Sequence, residues 1–255
     1  MKISVTILAK NSSETIGPVL ESLKDFSEVL LIDTGSSDRT KEIANQFSNV
    51  RIIDLPFQGF GNTHNIASQL ASNDWILSID SDEIVTPELS NEILHCQLDP
   101  KNVYVLNRQN YFNGKWMKGC SGWYPDPIVR LYHRESTQFN NADVHEKVLS
   151  DHLGKVRLKG DLIHTPYLSI ESLLAKMQLY STLFAKQNKS KTSSLGKALL
   201  HAFSAFMKNY FFKRGFLGGK EGFIISLYNA HVTYYKYLKL AYPELLKAPQ
   251  KPFQE

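Results

Sequence analysis

Two aspartates separated by one residue, Asp80-Ser81-Asp82, follow directly on the apolar run Trp75-Ile76-Leu77-Ser78-Ile79. Side chains alternate along an extended chain, so this spacing predicts two carboxylates on one face at a strand end. Paired carboxylates suit a hard divalent cation: Mg²⁺ or Mn²⁺ takes oxygen ligands, keeps several waters and is completed by substrate phosphates. A solvated acidic turn can carry the same D-x-D pattern. The preceding apolar run favours the metal, as does a third carboxylate, Asp33, which closes a second apolar run, Val29-Leu30-Leu31-Ile32.

The surrounding pattern predicts how these acids are held. Ile3 to Leu8 reads as a strand, and Ile16, Val19, Leu20 and Leu23 then repeat at helical spacing. The strand Val29–Ile32 ends in Asp33-Thr34-Gly35-Ser36-Ser37-Asp38, small polar residues suited to a turn and a helix N-cap before a helix that runs through Phe47. Val50 to Leu55, Asn62 to Leu70 and Trp75 to Ile79 add a strand, a helix and a fourth strand. The alternation is βαβαβαβ, which implies a mostly parallel sheet with helices on both faces. In such sheets ligands bind at the carboxyl ends of the strands, where Asp33, Asp80 and Asp82 fall. Further strands are expected at Val103–Leu106 and Pro127–Tyr132, separated by an aromatic, Gly-rich stretch, Tyr111 to Tyr124, that could form a binding loop. From Ser169 onward the chain reads as helices, broken by a polar linker at Gln187–Ser194.

Composition narrows the class. The 255 residues are 42% hydrophobic and 21% charged, ordinary globular values that exclude wholesale disorder and fibrous repeats. The start of the chain carries neither a long apolar segment nor a small-residue cleavage site, so a cytoplasmic protein is expected. Cys96 and Cys120 have no metal-type spacing and read as core thiols. Two phosphate motifs fail. Gly59-Phe60-Gly61 has His64 at the third glycine position of a dinucleotide loop, and Gly215 to Lys220 is one residue short of a P-loop and is followed by Glu221.

Three segments, Thr6 to Asn11, Asp33 to Thr40 and Trp75 to Glu83, together resemble the family 2 glycosyltransferases of the GT-A fold. Gly122 to Tyr132, Val144-His145-Glu146 and Gly215 to Gly222 are similar to the bacterial glucosyltransferases that extend the lipopolysaccharide inner core, so the resemblance covers nearly the whole chain. One departure is Gly219, where that subfamily would carry an Asp. The resemblance implies that Asp33 meets the base of a nucleotide sugar, that Asp80 contacts the ribose or the metal shell, and that Asp82 ligates the cation. It places Lys10 and Asn11 beside the nucleotide. An inverting transfer also needs a carboxylate to take the proton of the attacking hydroxyl. Glu146 ranks first for this role and Asp126 second, with Asp126 alternatively orienting the acceptor. His145 either completes the metal shell or orders Glu146. Trp116, Trp123 and Tyr124 either stack on acceptor sugars or pack over the sheet.

From Ser172 to Lys220 there is no Asp or Glu, while nine residues are basic. Nucleic acid, an anionic membrane and phosphorylated sugars would all suit such a span. Lysines interleaved with Leu, Phe and Tyr fit the lipid headgroup region best, so an anionic membrane is expected and nucleic acid is not. A helical subdomain packed on the catalytic part is compatible with this. The resulting expectation is a GT-A-like, Rossmann-type α/β catalytic domain over residues 1–161 with a helical extension over 162–255. Its activity would be inverting, Mg²⁺- or Mn²⁺-dependent transfer of a hexose, glucose foremost, from a UDP-sugar to a lipid-linked saccharide such as lipopolysaccharide inner core, at the inner face of the cytoplasmic membrane. The competing readings are a sugar nucleotidyltransferase, which would want a glycine in Leu8 to Ser13, and a non-catalytic membrane adaptor, which would leave the acids without a purpose.

Overall fold

The four N-terminal apolar runs are strands β1 (Ile3–Ala9), β2 (Glu28–Asp33), β3 (Val50–Asp54) and β4 (Trp75–Asp80), all parallel, in the order β3-β2-β1-β4. The computed structural model describes residues 2–118, 123–141 and 146–246. Helices α1 (Ile16–Glu21), α2 (Thr40–Ala44) and α3 (Phe60–Leu70) connect the strands. Both faces of the sheet are covered, as alternate residues of β2 demonstrate: Val29 and Leu31 pack with Val19, Leu20 and Ala44, while Leu30 and Ile32 pack with Ala67 and Tyr132. Two-sided burial is why these strands are continuous apolar runs rather than alternating ones.

The sheet continues beyond β4 with antiparallel pairing. The added elements are β5 (Glu83–Val85), α4 (Pro87–His95), β6 (Asn102–Phe112), β7 (Lys115–Trp116), β8 (Pro127–His133) and β9 (Gly154–His164), and the strand order continues β4-β8-β6-β9-β5. Three of them, β5, α4 and β9, go beyond the sequence reading. In β9 only Leu158, Gly160 and Leu162 are fully buried, too sparse an alternation to announce a strand. Helix α4 does carry a start signal: the Thr86 hydroxyl accepts from Leu89 N–H at 3.3 Å, and Pro87 occupies the first turn. The anticipated loop after Tyr111 begins instead as a hairpin, β6 to β7. Its turn is Asn113-Gly114, both at positive φ (51° and 71°), the conformation that Asn-Gly turns favour.

The chain divides into two compact units, Met1–Gln109 with Asp126–Thr165, and Asn110–Pro125 with Pro166–Glu255. The second unit contains the β7 hairpin and helices α5 (Ile170–Gln187), α6 (Leu195–Met207) and α7 (Gly219–Ala241). Its core gathers Phe112, Met117, Leu173, Ile225 and Tyr228, with Trp123, Tyr167 and Met177 packed against them. The glycines of the 215–222 segment serve packing: a Cβ on Gly222 would sit 1.9 Å from the Gly215 carbonyl oxygen. Among the described residues, no helix is long and apolar enough to cross a membrane. Cys96 is half-buried against the core of the first unit, whereas Cys120 lies outside the described residues.

Candidate functional site

Strand register brings the expected acids together in the first unit. Ala9 aligns with Asp33 and Leu8 with Asp80, so β2, β1 and β4 end side by side. Asp33 is almost fully buried. Its Oδ2 accepts from the backbone N–H groups of Gly35 (3.2 Å) and Ser36 (3.0 Å), a tight loop made possible by Gly35 at φ +105°. Its Oδ1 is buried and accepts no hydrogen bond from the described residues. Lys41 Nζ stands 4.0 Å from Asp33 Oδ2 and 3.0 Å from Asp54.

The loop after β1 stitches these ends to one another. Asn11, at φ 52°, donates its N–H to Ser36 Oγ (2.9 Å) and accepts from Ser37 N–H (2.8 Å). Ser12 donates its N–H to Thr40 Oγ1 (2.7 Å) and its hydroxyl to Ser81 Oγ (3.0 Å), reaching the residue between Asp80 and Asp82. Hydrogen bonds from Thr40 and Ser13 hold the Asp38 carboxyl well below the usual carboxylate range. Lys10 is exposed beside this loop.

The D-x-D segment differs from its reading as a strand pair. Strand β4 stops at Asp80, and Ser81-Asp82 form the turn into β5, so alternation along an extended chain does not apply to Asp82. The two acids have different partners. Asp82 Oδ2 lies 3.7 Å from His164 Nε2 at the end of β9. Asp80 Oδ2 accepts from Arg130 on β8. Behind them Glu83, completely buried, accepts from Asp80 N–H at Oε2 (3.0 Å) and from Arg130 Nη2 (3.1 Å) and Arg108 Nη1 (3.3 Å) at Oε1. Arg108 Nε then donates to Asp126 Oδ2 at 2.8 Å.

Burial sets the energetics of this network. Desolvation is the largest single influence on the Asp80 carboxyl and would raise it, but Arg130 together with His64, Arg108 and His164 outweighs it and draws the group down. Desolvation wins at Glu83, whose carboxyl is pushed up although both arginines oppose the shift. Arg130 is held fully protonated by Asp80 and Glu83 against the same desolvation. Nearby, His64 on α3 is 2% exposed, stacks on Phe139 at 4.4 Å and pairs through Nδ1 with Ser78 Oγ at 3.2 Å; burial pushes it down to about 4.

Glu146 directly precedes Lys147, whose carbonyl accepts from Asn140 N–H (3.0 Å), next to the antiparallel bridge of Phe139 with Val148. Asn65 anchors this segment to α3 by accepting from Phe139 N–H (2.8 Å) and donating to Phe139 O (3.0 Å). A groove of about 270 Å³ is lined by Arg130, Phe139, Glu146 and Lys155. His145 lies outside the described residues. Trp116, Trp123 and Tyr124 belong to the second unit. There Trp123 packs on Phe112 and Tyr167, and Trp116 meets Tyr124 edge to face at 5.2 Å.

The structure thus groups Asn11, Asp33, Asp80 and Asp82 at neighbouring strand ends, and links Asp126 to them through Arg108 and Glu83. Glu83, Arg108, Arg130 and His164 enter the site without having been read as site residues. Arg130 did carry a signal, a charge inside the apolar strand Ile128-Val129-Arg130-Leu131-Tyr132, since a buried charge requires a partner. Among the described residues, no three His, Cys, Asp or Glu side chains converge as a closed metal cage. The half-buried Asp82 carboxylate beside the His164 imidazole fits a Mg²⁺ or Mn²⁺ ion that takes one or two protein ligands and completes its shell with phosphate oxygens and water.

Residues 4–149 match the family model described as glycosyl transferase family 2. An uncharacterized glycosyltransferase of Rickettsia prowazekii is 28% identical over 94% of this chain and 86% of its own length. The lipopolysaccharide core biosynthesis glycosyltransferase LpsC of Rhizobium meliloti is 25% identical over 97% of this chain and 95% of its own. Among solved structures, S. aureus TarS 1–349 in complex with UDP-GlcNAc aligns with a TM-score of 0.46 and 16% identity, over 96% of this chain and 92% of that one.

Proposed function

The chain belongs to glycosyl transferase family 2, and we propose that it moves a hexose, glucose foremost, from a UDP-sugar to a lipid-linked saccharide such as lipopolysaccharide inner core, with inversion and with Mg²⁺ or Mn²⁺. The observation that carries the donor reading is Asp33, whose buried Oδ1 is an acceptor left open at the strand ends. A uracil ring presents one N–H between two carbonyls and would satisfy it. Asp80 and Asn11 would border the ribose and Lys10 the rim, while Asp82, with His164, would hold the cation. When bound, that cation would neutralise charge developing on the departing diphosphate.

Glu146 is the proposed base, and its groove is shared with Arg130, the partner of Asp80. It takes the proton of the acceptor hydroxyl as that oxygen bonds to the anomeric carbon and the bond to diphosphate breaks on the opposite face. Asp126, engaged by Arg108, orients the acceptor. The name of the LpsC relative supports a saccharide acceptor of the lipopolysaccharide core. Catalysis is assigned to residues 1–161, with residues 162–255 meeting the acceptor and the inner face of the cytoplasmic membrane. Exposed Leu200 (66%), Phe203 (63%) and Phe212 (82%) in the acid-free basic span support the membrane part of this reading.

The test is release of UDP from a panel of UDP-hexoses, with and without delipidated core oligosaccharide. Glu146→Gln should retain donor affinity and lose transfer by orders of magnitude, because an amide cannot accept the proton. If Asp126→Asn shows that pattern and Glu146→Gln does not, the two roles exchange. Pyrophosphate release from UTP and a sugar phosphate would instead identify a nucleotidyltransferase.

A further inference from the structure

Glu83 is the most deeply buried acid of the network, and the donor and acceptor roles proposed above leave it unused. Both of its oxygens are committed: Oε2 to the Asp80 backbone N–H, Oε1 to one guanidinium nitrogen from each of Arg108 and Arg130. Each arginine also meets a second carboxylate, Arg130 reaching Asp80 with the same Nη2 and Arg108 reaching Asp126 with Nε. Three carboxylates and two guanidiniums therefore form one chain, Asp80–Arg130–Glu83–Arg108–Asp126, within the first unit.

Stability alone is a weak reason for such an arrangement. Buried ion clusters replaced by apolar side chains of similar volume are often neutral or more stable, because desolvation offsets the Coulomb gain. Exposure runs the other way along the chain, with Glu83 at 0%, Arg130 at 3%, and the two end carboxylates partly open, Asp80 at 35% and Asp126 at 30% of their side-chain surface. A hidden centre thus supports two accessible ends. Arg108 is engaged as a rigid planar fork, Nη1 on Glu83 and Nε on Asp126, whereas Arg130 shares one nitrogen, Nη2, between Glu83 and Asp80. Glu83 fixes one on each side.

Resting on the donor and acceptor roles proposed above, we propose that Glu83 is a positioning residue that holds donor-side Asp80 and acceptor-side Asp126 in register through Arg130 and Arg108. The sheet places the backbones, Asp80 beside Leu8 and Asp126 O accepting from Arg108 N–H, and the directions of the two carboxylates are then fixed by Arg130 and Arg108.

Glu83→Gln keeps the side-chain shape but has one oxygen for two sets of donors: either it accepts from Asp80 N–H and turns its NH₂ toward the arginines, or it offers the arginines a neutral oxygen and turns its NH₂ toward Asp80 N–H. It should weaken binding of UDP measured by calorimetry in MgCl₂ and also lower transfer to delipidated core oligosaccharide, each by about 10- to 100-fold, as loss of supporting partners around a site commonly does. Arg108→Met removes the bonds to both Glu83 and Asp126 and leaves Arg130 on Glu83 and Asp80. It should lower kcat/KM for the acceptor by about the same factor while UDP affinity stays at the wild-type value. Arg108→Lys restores the charge without the fork and should recover little of the loss. If Glu83→Gln does not yield folded protein, the Arg108 variants decide the matter. Folded Glu83→Gln with wild-type UDP affinity and transfer overturns the proposal, as does Arg108→Met with unchanged acceptor kinetics or full rescue by Arg108→Lys. A wild-type protein that binds no UDP and uses no UDP-hexose overturns the function proposed above instead.

Discussion

Asp33→Asn isolates one atom of the proposed donor site. In the wild-type protein Oδ2 is occupied by Gly35 and Ser36 N–H groups, at 3.2 and 3.0 Å, and Oδ1 remains as the open acceptor. Both backbone groups require an oxygen, so the Asn carbonyl must take the Oδ2 position and the amide NH₂ must occupy the Oδ1 position. The loop is retained, and so is the fold. What changes is polarity, because an N–H now faces the N–H of uracil where a carboxylate oxygen accepted it. A hydrogen bond to a charged group contributes about 1.5–3 kcal/mol. At about 1.4 kcal/mol per decade, its loss should weaken UDP binding by about 10- to 150-fold. Cytosine carries a lone pair at the ring position where uracil carries N–H, so the same variant should bind CDP better than the wild-type protein does. Calorimetric titration of both proteins with UDP and with CDP in MgCl₂ measures the two changes together. Unchanged UDP affinity in folded Asp33→Asn, with no gain for CDP, would refute the assignment of Oδ1 to the base.

Asp82→Ala should abolish divalent-dependent UDP binding while leaving thermal unfolding close to wild type, since the residue sits half-buried in a turn outside the hydrophobic core; wild-type turnover in excess EDTA would count against a metal at this position. His64 is buried neutral, with its folded value depressed from 6.5 to about 4, so its contribution to stability is fully present above pH 6.5 and is lost as pH falls toward 4. By linkage the loss at pH 5 is about 2 kcal/mol, which should appear as a fall in Tm between pH 7.5 and 5 that His64→Gln lacks; equal pH profiles would contradict it. Changing Lys208, Lys213 and Arg214 together to Glu should release the protein from anionic vesicles yet spare transfer to a delipidated acceptor, because each basic residue adds about 1 kcal/mol near an anionic leaflet. Equal flotation of wild-type protein on neutral and anionic vesicles would show that headgroup charge is not what it binds.

The parallel half of the sheet was legible because its signals are local. Runs such as Val29 to Ile32 record two-sided burial directly, and the helical spacing between runs implies the crossovers, so the expectation that Asp33 and Asp80 lie at the carboxyl ends of strands in one sheet needed no long-range information; β1 stands between those two strands. Family membership was legible for the same reason, since its motifs are contiguous segments at strand ends. The antiparallel half was legible only in part, since β6 and β8 were expected at Val103–Leu106 and Pro127–Tyr132 while β5 and β9 were not. Strand β9 holds few buried apolar residues, and its partner β5 is three residues long and lies more than sixty positions earlier, so pairing is stabilised only once the rest of the sheet exists.

Tertiary structure alone decided how the acids are partnered. The D-x-D spacing is the same whether Asp82 continues a strand or turns away from it, and only the start of β5 at Glu83 settles that it turns, separating its partner His164 from Arg130 of Asp80. The charge chain through Glu83 joins residues from four segments, Asp80 to Glu83, Arg108, Asp126 and Arg130, whose side chains meet only because β4, β8 and β6 lie side by side. Electrostatic pairing depends on distance and burial in space, and neither quantity is written in the order of residues along a chain.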